Sequence, residues 1–235
     1  MRSVRKPLTV PSSVPPTAPG PAARAAATLR ERKKVRTRDA LAAAALELAR
    51  TRGFEATTIE DVAAAADVSR RTFFRYFATK EAALFPHHAR RLARFRDVLD
   101  GALAAGAAPF AAVRASFLVL AGDYLREREE IVAQQRTVDA SPALIAFERT
   151  LDREWEDAVA LGLAGGPAAD RSATPRDRIL AGAAMGAIRA TLRQWFDSGG
   201  RLDLSGLGRE TFDLLERGFE PGAAPEPGGR GGNEP

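Results

Sequence analysis

Apolar residues recur along this chain at helical spacing, and no run shows the alternation of a strand. Leu41, Ala45 and Leu48 stand at i, i+4 and i+7 and predict a first helix over about 37–51. Gly53 ends it and Phe54 packs back. Thr58, followed three residues on by Asp61, reads as a capping box opening a second helix over about 59–66, with Val62 and Ala63 inward. Asp67, Val68 and Ser69 form a turn, and Ser69 caps a third helix over about 70–76. Lys80 is expected to open a fourth that runs to Leu103. Breakers at Gly106, Pro109, Pro142, Gly165, Pro167, Pro175, Gly199 and Gly200 divide the remainder into five helices, about 109–125, 127–138, 142–163, 175–197 and 208–219. The predicted fold is all-α. A three-helix head over 30–84 precedes a helical bundle over 85–220. Residues 1–23 are rich in Pro, Ser, Thr and Ala without hydrophobic period, so 1–29 is expected to be a disordered extension and 221–235 a disordered tail.

The second and third helices form a helix-turn-helix. Alanines at 63–66 allow close approach, Val68 fills the angle, and Asp67 tolerates the left-handed backbone such a turn needs. Phe73 and Phe77, four residues apart, anchor the third helix to a core. Arg70, Arg71 and Arg75 are left to project outward beside Thr72 and Tyr76. That face suits duplex DNA: an arginine forks onto guanine O6 and N7, and hydroxyls hold phosphates. The stretch 30–38, RERKKVRTR, is expected to be a flexible basic arm tracking phosphate or entering the minor groove.

Charge supports this division. The 235 residues carry a formal charge of +5. Residues 24–96 hold 17 bases against 8 acids, and residues 97–235 hold 15 against 22. A basic segment joined to an acidic remainder fits a polyanion-binding module on a second unit. Cysteine is absent, which excludes disulfides, thiolate metal sites and a cysteine nucleophile. No apolar run is long enough to cross a bilayer, and prolines stand where a signal peptide needs an apolar core, so no membrane association and a cytoplasmic location are expected. No phosphate loop, GxSxG elbow or HExxH occurs. No catalytic residue, metal or cofactor is expected. His87 and His88 have no evident carboxylate pair nearby in sequence and are expected to pack at a helix surface or hinge.

The run TTIEDVAAAADVSRRTFFRYFATKE at 57–81, preceded by Gly53 and Phe54, resembles the DNA-binding signature of the TetR family of bacterial repressors, without gaps. The resemblance covers about 37–84. It implies phosphate contacts at Thr57 or Thr58, Thr72, Tyr76 and Lys80, and base-facing roles at Arg70, Arg71, Phe74 and Arg75. Two positions depart from the family pattern: Asp67 stands where glycine is usual, and Arg71 where glycine is common. Phe74 lacks the hydroxyl often found there, so its contact should be apolar, as with a thymine methyl.

Beyond about residue 97 the resemblance is to architecture. It implies a cavity that binds a small effector, a homodimer, and a palindromic operator whose occupancy the effector lowers. Phe117, Leu120, Tyr124, Phe147, Trp155, Met185 and Ile188, with Arg114, Gln134 and Arg189, are the candidate lining; plain core packing is the competing role. The aromatic supply suits an apolar or amphipathic effector, such as an acyl chain with an anionic head near an arginine. The wording FFRYF at 73–77 is similar to a subgroup of actinobacterial regulators proposed to sense acyl-coenzyme A compounds. Gly182, Ala183, Gly186 and Ala190 on one helix, and Leu207, Thr211, Leu214, Leu215 and Phe219 on the next, are the candidate dimer interface. Two alternatives remain: a ligand-independent DNA-binding protein, and a DNA-processing enzyme with such a head.

Overall fold

The structure is a computed structural model that describes residues 21–167 and 172–217, with side chains from residue 31 onward. Among the described residues there are nine α-helices and no strand: α1 (Pro21–Arg52), α2 (Ile59–Ala65), α3 (Arg70–Tyr76), α4 (His88–Ala104), α5 (Pro109–Arg126), α6 (Arg128–Asp139), α7 (Pro142–Leu163), α8 (Pro175–Asp197) and α9 (Leu204–Arg217), with a 3₁₀ turn at Glu81–Leu84. None of these helices is long and apolar enough to cross a membrane. The expected tail at 221–235 and the first twenty residues lie outside the described segments.

Local chemistry sets the boundaries in the head. Gly53, at φ +86°, stops α1 in a conformation that a side chain would strain. Thr58 and Asp61 form the expected capping box on α2. Asp67 turns the chain at φ 52°, and the Ser69 hydroxyl accepts the Thr72 N–H to start α3. Leu41, Phe54, Val62, Phe73 and Phe77 close the core of the head, with Val68 packed on its edge. Val138 from α6 and Leu144 from α7 are fully buried in the same core, so the bundle is built directly into the head.

Two boundaries correct the sequence expectations. The basic stretch 30–38 is not a flexible arm: it lies within α1, as do residues 21–29 of the supposed extension. Between Pro21 and Gly53 there is no glycine or proline, and Ala, Arg, Lys, Glu and Leu are strong helix formers. Pro21 occupies the first turn, where its missing N–H removes no helical bond. The fourth helix, in turn, does not open at Lys80. Pro86 lacks the N–H to continue a helix and pushes Phe85 out of the α region (φ −122°, ψ 52°), so α4 starts at His88.

In the bundle, α4, α5 and α7 pack around Phe95, Leu99, Val113 and Val159, and α8 and α9 lie against α7 and α5. Gly162 makes the α4–α7 approach possible: a Cβ there would stand 2.7 Å from Leu99 Cδ2 and 3.3 Å from Val113 Cγ2.

Candidate nucleic-acid interface and ligand cavity

The α3 helix has a divided surface. Phe73 is fully buried and Phe77 nearly so, their ring centroids 5.8 Å apart. Arg70, Arg71, Phe74 and Arg75 are exposed, and Thr72 and Tyr76 half-buried. Phe74, 45% exposed, is an apolar tip on a cationic face. Arg70 pairs with Glu60 of α2 at 2.9 Å and lies over the Phe74 ring. Arg75 lies over Tyr76, 5.1 Å from its centroid. Among the described residues Arg71 has no ion-pair partner, so its fork is open to an incoming acceptor.

Two expected phosphate contacts are placed differently. Thr57 is 3% exposed and its hydroxyl donates to the Gly53 carbonyl, which leaves exposed Thr58 as the member of that pair facing solvent. Lys80 Nζ donates to the carbonyls of Phe54 and Thr57, each at 2.8 Å, and sits 4.0 Å from the Phe54 ring centroid. It closes the α1–α2 loop as a strut. Two of its three N–H donors are thereby engaged.

The bundle holds a cavity of about 430 Å³ that opens to solvent on one side. It brings together Phe117, Leu120, Tyr124, Gln134, Trp155, Met185, Ile188 and Arg189. Arg114 and Phe147 are not on its wall. Arg114 is drawn to Asp213 (2.7 Å) and Glu216 (3.5 Å) of α9, and Phe147 stacks on Phe85. Arg189 lines the cavity but already pairs with Asp152 and Glu156.

Sequence reasoning missed the polar wall. Arg91, His87, His88, Glu148 and Asp152 all line the cavity. The histidines do meet carboxylates, from helices distant in sequence: His87 faces Glu130 at 3.4 Å and His88 faces Glu154 at 3.0 Å. Burial, then the charges of Arg90 and Arg91, hold the His87 imidazole below its usual range. Burial, then the Asp152 carboxylate, push Glu148 up, and burial likewise raises Asp152. Burial also raises the Tyr124 phenol. The signal for Arg91 was present in the sequence, since it precedes Leu92, Phe95 and Leu99 on the buried face of α4.

The α8–α9 pair leaves Ile179, Leu180 and Leu214 exposed at 72%, 45% and 59%. Ala183 and Ala190 are exposed beside them, Gly186 and Leu207 are half-buried, and nothing stands within 4 Å of a Cβ at Gly182. Thr211 and Leu215 do not face outward as expected. Thr211 bonds the Thr191 hydroxyl on the cavity wall, and Leu215 packs on the bundle core. The α9 helix begins four residues earlier than predicted, at Leu204, and Phe219 lies outside the described residues.

Known proteins match along most of this length. Residues 41–85 match the family described as bacterial regulatory proteins, tetR family, and residues 107–220 match the MftR C-terminal domain. The HTH-type transcriptional regulator TcmR of Streptomyces glaucescens is 35% identical over 175 residues, covering 72% of this chain and 76% of that one. MftR of Mycobacterium tuberculosis, named for the regulation of mycofactocin biosynthesis, is 29% identical over 120 residues, covering 49% and 58%. Among solved structures, Thermus thermophilus FadR, a transcriptional repressor of the same family in complex with lauroyl-CoA, superposes with a TM-score of 0.54 at 28% identity. It covers 82% of this chain and 100% of that one.

Proposed function

We infer, because this chain belongs to the TetR family of bacterial transcriptional regulators, that it represses transcription as a homodimer on a palindromic operator and is released by an amphipathic effector. The observation that carries this is the α3 face. Arg70, Arg71 and Arg75 project from a helix pinned by Phe73 and Phe77, and together they form a cationic face that suits contact with a polyanion. Arg71 and Arg75 read bases, Phe74 meets a thymine methyl, and Thr58, Thr72 and Tyr76 hold phosphates. The exposed helical stretch 31–36 of α1 adds cations on the same head. Two heads joined through the α8–α9 faces would place their α3 helices in successive major grooves, roughly 34–36 Å apart or somewhat more.

The effector is read as an acyl thioester or a molecule of similar shape. The cavity of about 430 Å³ lies within the range of small-molecule sites, and Phe117, Trp155, Met185 and Ile188 give it an apolar wall. The FadR neighbour, at 28% identity, holds lauroyl-CoA. Release is a population shift: an effector that prefers another arrangement of the bundle lowers operator affinity by its differential affinity for the two arrangements.

Binding-site selection with the full chain should return an inverted repeat whose binding weakens steeply with salt. Lauroyl-CoA added to that complex should release it. A chain with no salt-sensitive preference for any inverted repeat overturns the repressor reading. A complex indifferent to lauroyl-CoA and to other acyl esters overturns the effector class alone.

A further inference from the structure

Arg91 is the least exposed cation on the cavity wall. It is 8% exposed. Its guanidinium lies over the Tyr124 ring at 4.7 Å, and one terminal nitrogen donates to Glu127 at 2.8 Å. Its Nε–H is buried without an acceptor. A guanidinium offers five donors in a fixed fork, and a buried donor left unanswered keeps its desolvation uncompensated. The other cations of the wall differ. Arg189 is committed to two carboxylates, and Arg149 and Arg193 are exposed at the rim.

We propose that Arg91 is the polar anchor of the effector, and that it takes a carbonyl or carboxylate oxygen of the ligand in exchange for Glu127. This assignment rests on the effector reading above and names the residue that would meet the acyl oxygen. The surroundings fit that chemistry. Tyr124, its phenol raised by burial, stays a neutral donor beneath the guanidinium. The aromatic rings of Phe117 and Trp155, 6.0 Å apart, line the same cavity and receive the apolar body of the molecule.

The exchange also has a route to the head. Glu127 accepts from Arg90 and Arg91 at 2.8 Å each, and His87 faces Glu130 alongside. These contacts tie the first turn of α4 to the start of α6. Both elements run into the head. The 3₁₀ turn just before α4 buries Ala83 and Leu84 in the head core. The α6 helix holds the Leu84 carbonyl through Gln134 and carries Val138 in its last turn, inside that core. An oxygen that draws Arg91 away leaves Glu127 with Arg90 alone and loosens the tie between α4 and α6. Effector binding and the geometry of the head then share one ionic bond, and linkage makes their effects on each other reciprocal.

Trp155 lies on the cavity wall, so tryptophan emission of the full chain reports occupancy. Wild type, Arg91→Met, Glu127→Gln and the double variant are titrated with lauroyl-CoA and, separately, with dodecanoate, and each is checked for a cooperative melt. Arg91→Met should bind at least tenfold more weakly. Glu127→Gln should bind several-fold more tightly, because it removes the competitor for the guanidinium, and that gain should vanish in the double variant. A merely structural pair would weaken binding in both single variants. Loss against lauroyl-CoA alone assigns the oxygen to the thioester, and loss against both probes extends it to a free carboxylate. If Arg91→Met does not melt cooperatively, Arg91→Lys, which keeps the charge but not the fork, should show an intermediate loss. Wild-type affinity in a folded Arg91 variant, or weaker binding in folded Glu127→Gln, overturns the anchor while leaving the effector class standing. Wild type that binds neither probe overturns the acyl reading, and the anchor with it.

Discussion

Lys80 shows how one side chain changes meaning between sequence and structure. Its position in the motif implies a phosphate contact, whose loss would weaken every operator alike and lower the salt slope by about one. The structure instead sets Nζ between the Phe54 and Thr57 carbonyls, where it closes the loop that leads into α2. Hydrogen bonds from a charged donor contribute about 1.5–3 kcal/mol, so Lys80→Ala should destabilise the head by about 2 kcal/mol. Thermal denaturation would register this. Operator titrations across salt should show uniformly weaker binding with an unchanged slope; a slope that falls by one restores the phosphate role. Residues with local jobs were legible: Thr58 and Ser69 cap, and Asp67 turns left-handed, because only neighbours in sequence are involved. The hydrogen bonds of Thr57 and Lys80 were not legible because their partners are backbone carbonyls that become available only once the loop has closed. Glu148 belongs to the same class, since its shift comes first from burial and then from Asp152. A folded pKa above the unfolded one means that stability is fully present below the unfolded value and is lost as pH rises through the folded value. Glu148→Gln should therefore raise the melting temperature at about pH 8 and leave it nearly unchanged at about pH 4, both set by the ordinary glutamate range. Thermal melts in which the gap between variant and wild type fails to widen with pH would rule this out.

At the scale of elements, the periodicity that located most helices says nothing about where a polar helix begins. The α1 helix has its apolar stripe only from Leu41 on, so the residues before it looked like an arm; the absence of any breaker between Pro21 and Gly53 was the better guide. Pro86 gave the opposite warning. It was visible in the sequence, and it divides the expected fourth helix into a 3₁₀ turn and α4. Helix contacts are less legible still, because they depend on which faces meet. Gly162 marks one such meeting, with no room for a Cβ between α7 and Leu99 of α4. Overpacking of a tight core costs about 1–3 kcal/mol. Gly162→Val should thus lower the melting temperature even though valine itself suits an apolar core. Gly182→Ala on α8, inside the helix and with nothing within 4 Å, should instead raise the melting temperature of the isolated subunit slightly, since glycine in a helix interior costs about 0.5–1 kcal/mol relative to alanine.

For the whole molecule, the open question is what covers α8 and α9. Their surface carries Ile179, Leu180 and Leu214 in water, and large exposed apolar groups gathered on one face are uncommon in a finished soluble unit. A stable interface removes about 1,200–2,000 Å² from solvent, and two such helix pairs related by a two-fold axis would bury these side chains against their own copies. The sequence marked this face only in outline, because a stripe at helical spacing does not say which edge turns inward. Leu214 and Leu215 separate the two possibilities. Leu214 points to solvent and Leu215 to the bundle core, one residue apart on the same turn. Leu214→Glu should leave each subunit folded but weaken self-association by at least a hundredfold, about 2.7 kcal/mol. Operator affinity should fall with it, since two half-sites are held at high effective concentration only while the heads are joined. Leu215→Glu should instead abolish the cooperative melt, because it places a charge within the packed helices. Sedimentation equilibrium and circular dichroism on the two variants read these outcomes directly. A Leu214→Glu protein that remains dimeric at micromolar concentration would move the two-fold contact to another face, and the half-site spacing derived from this one would no longer hold.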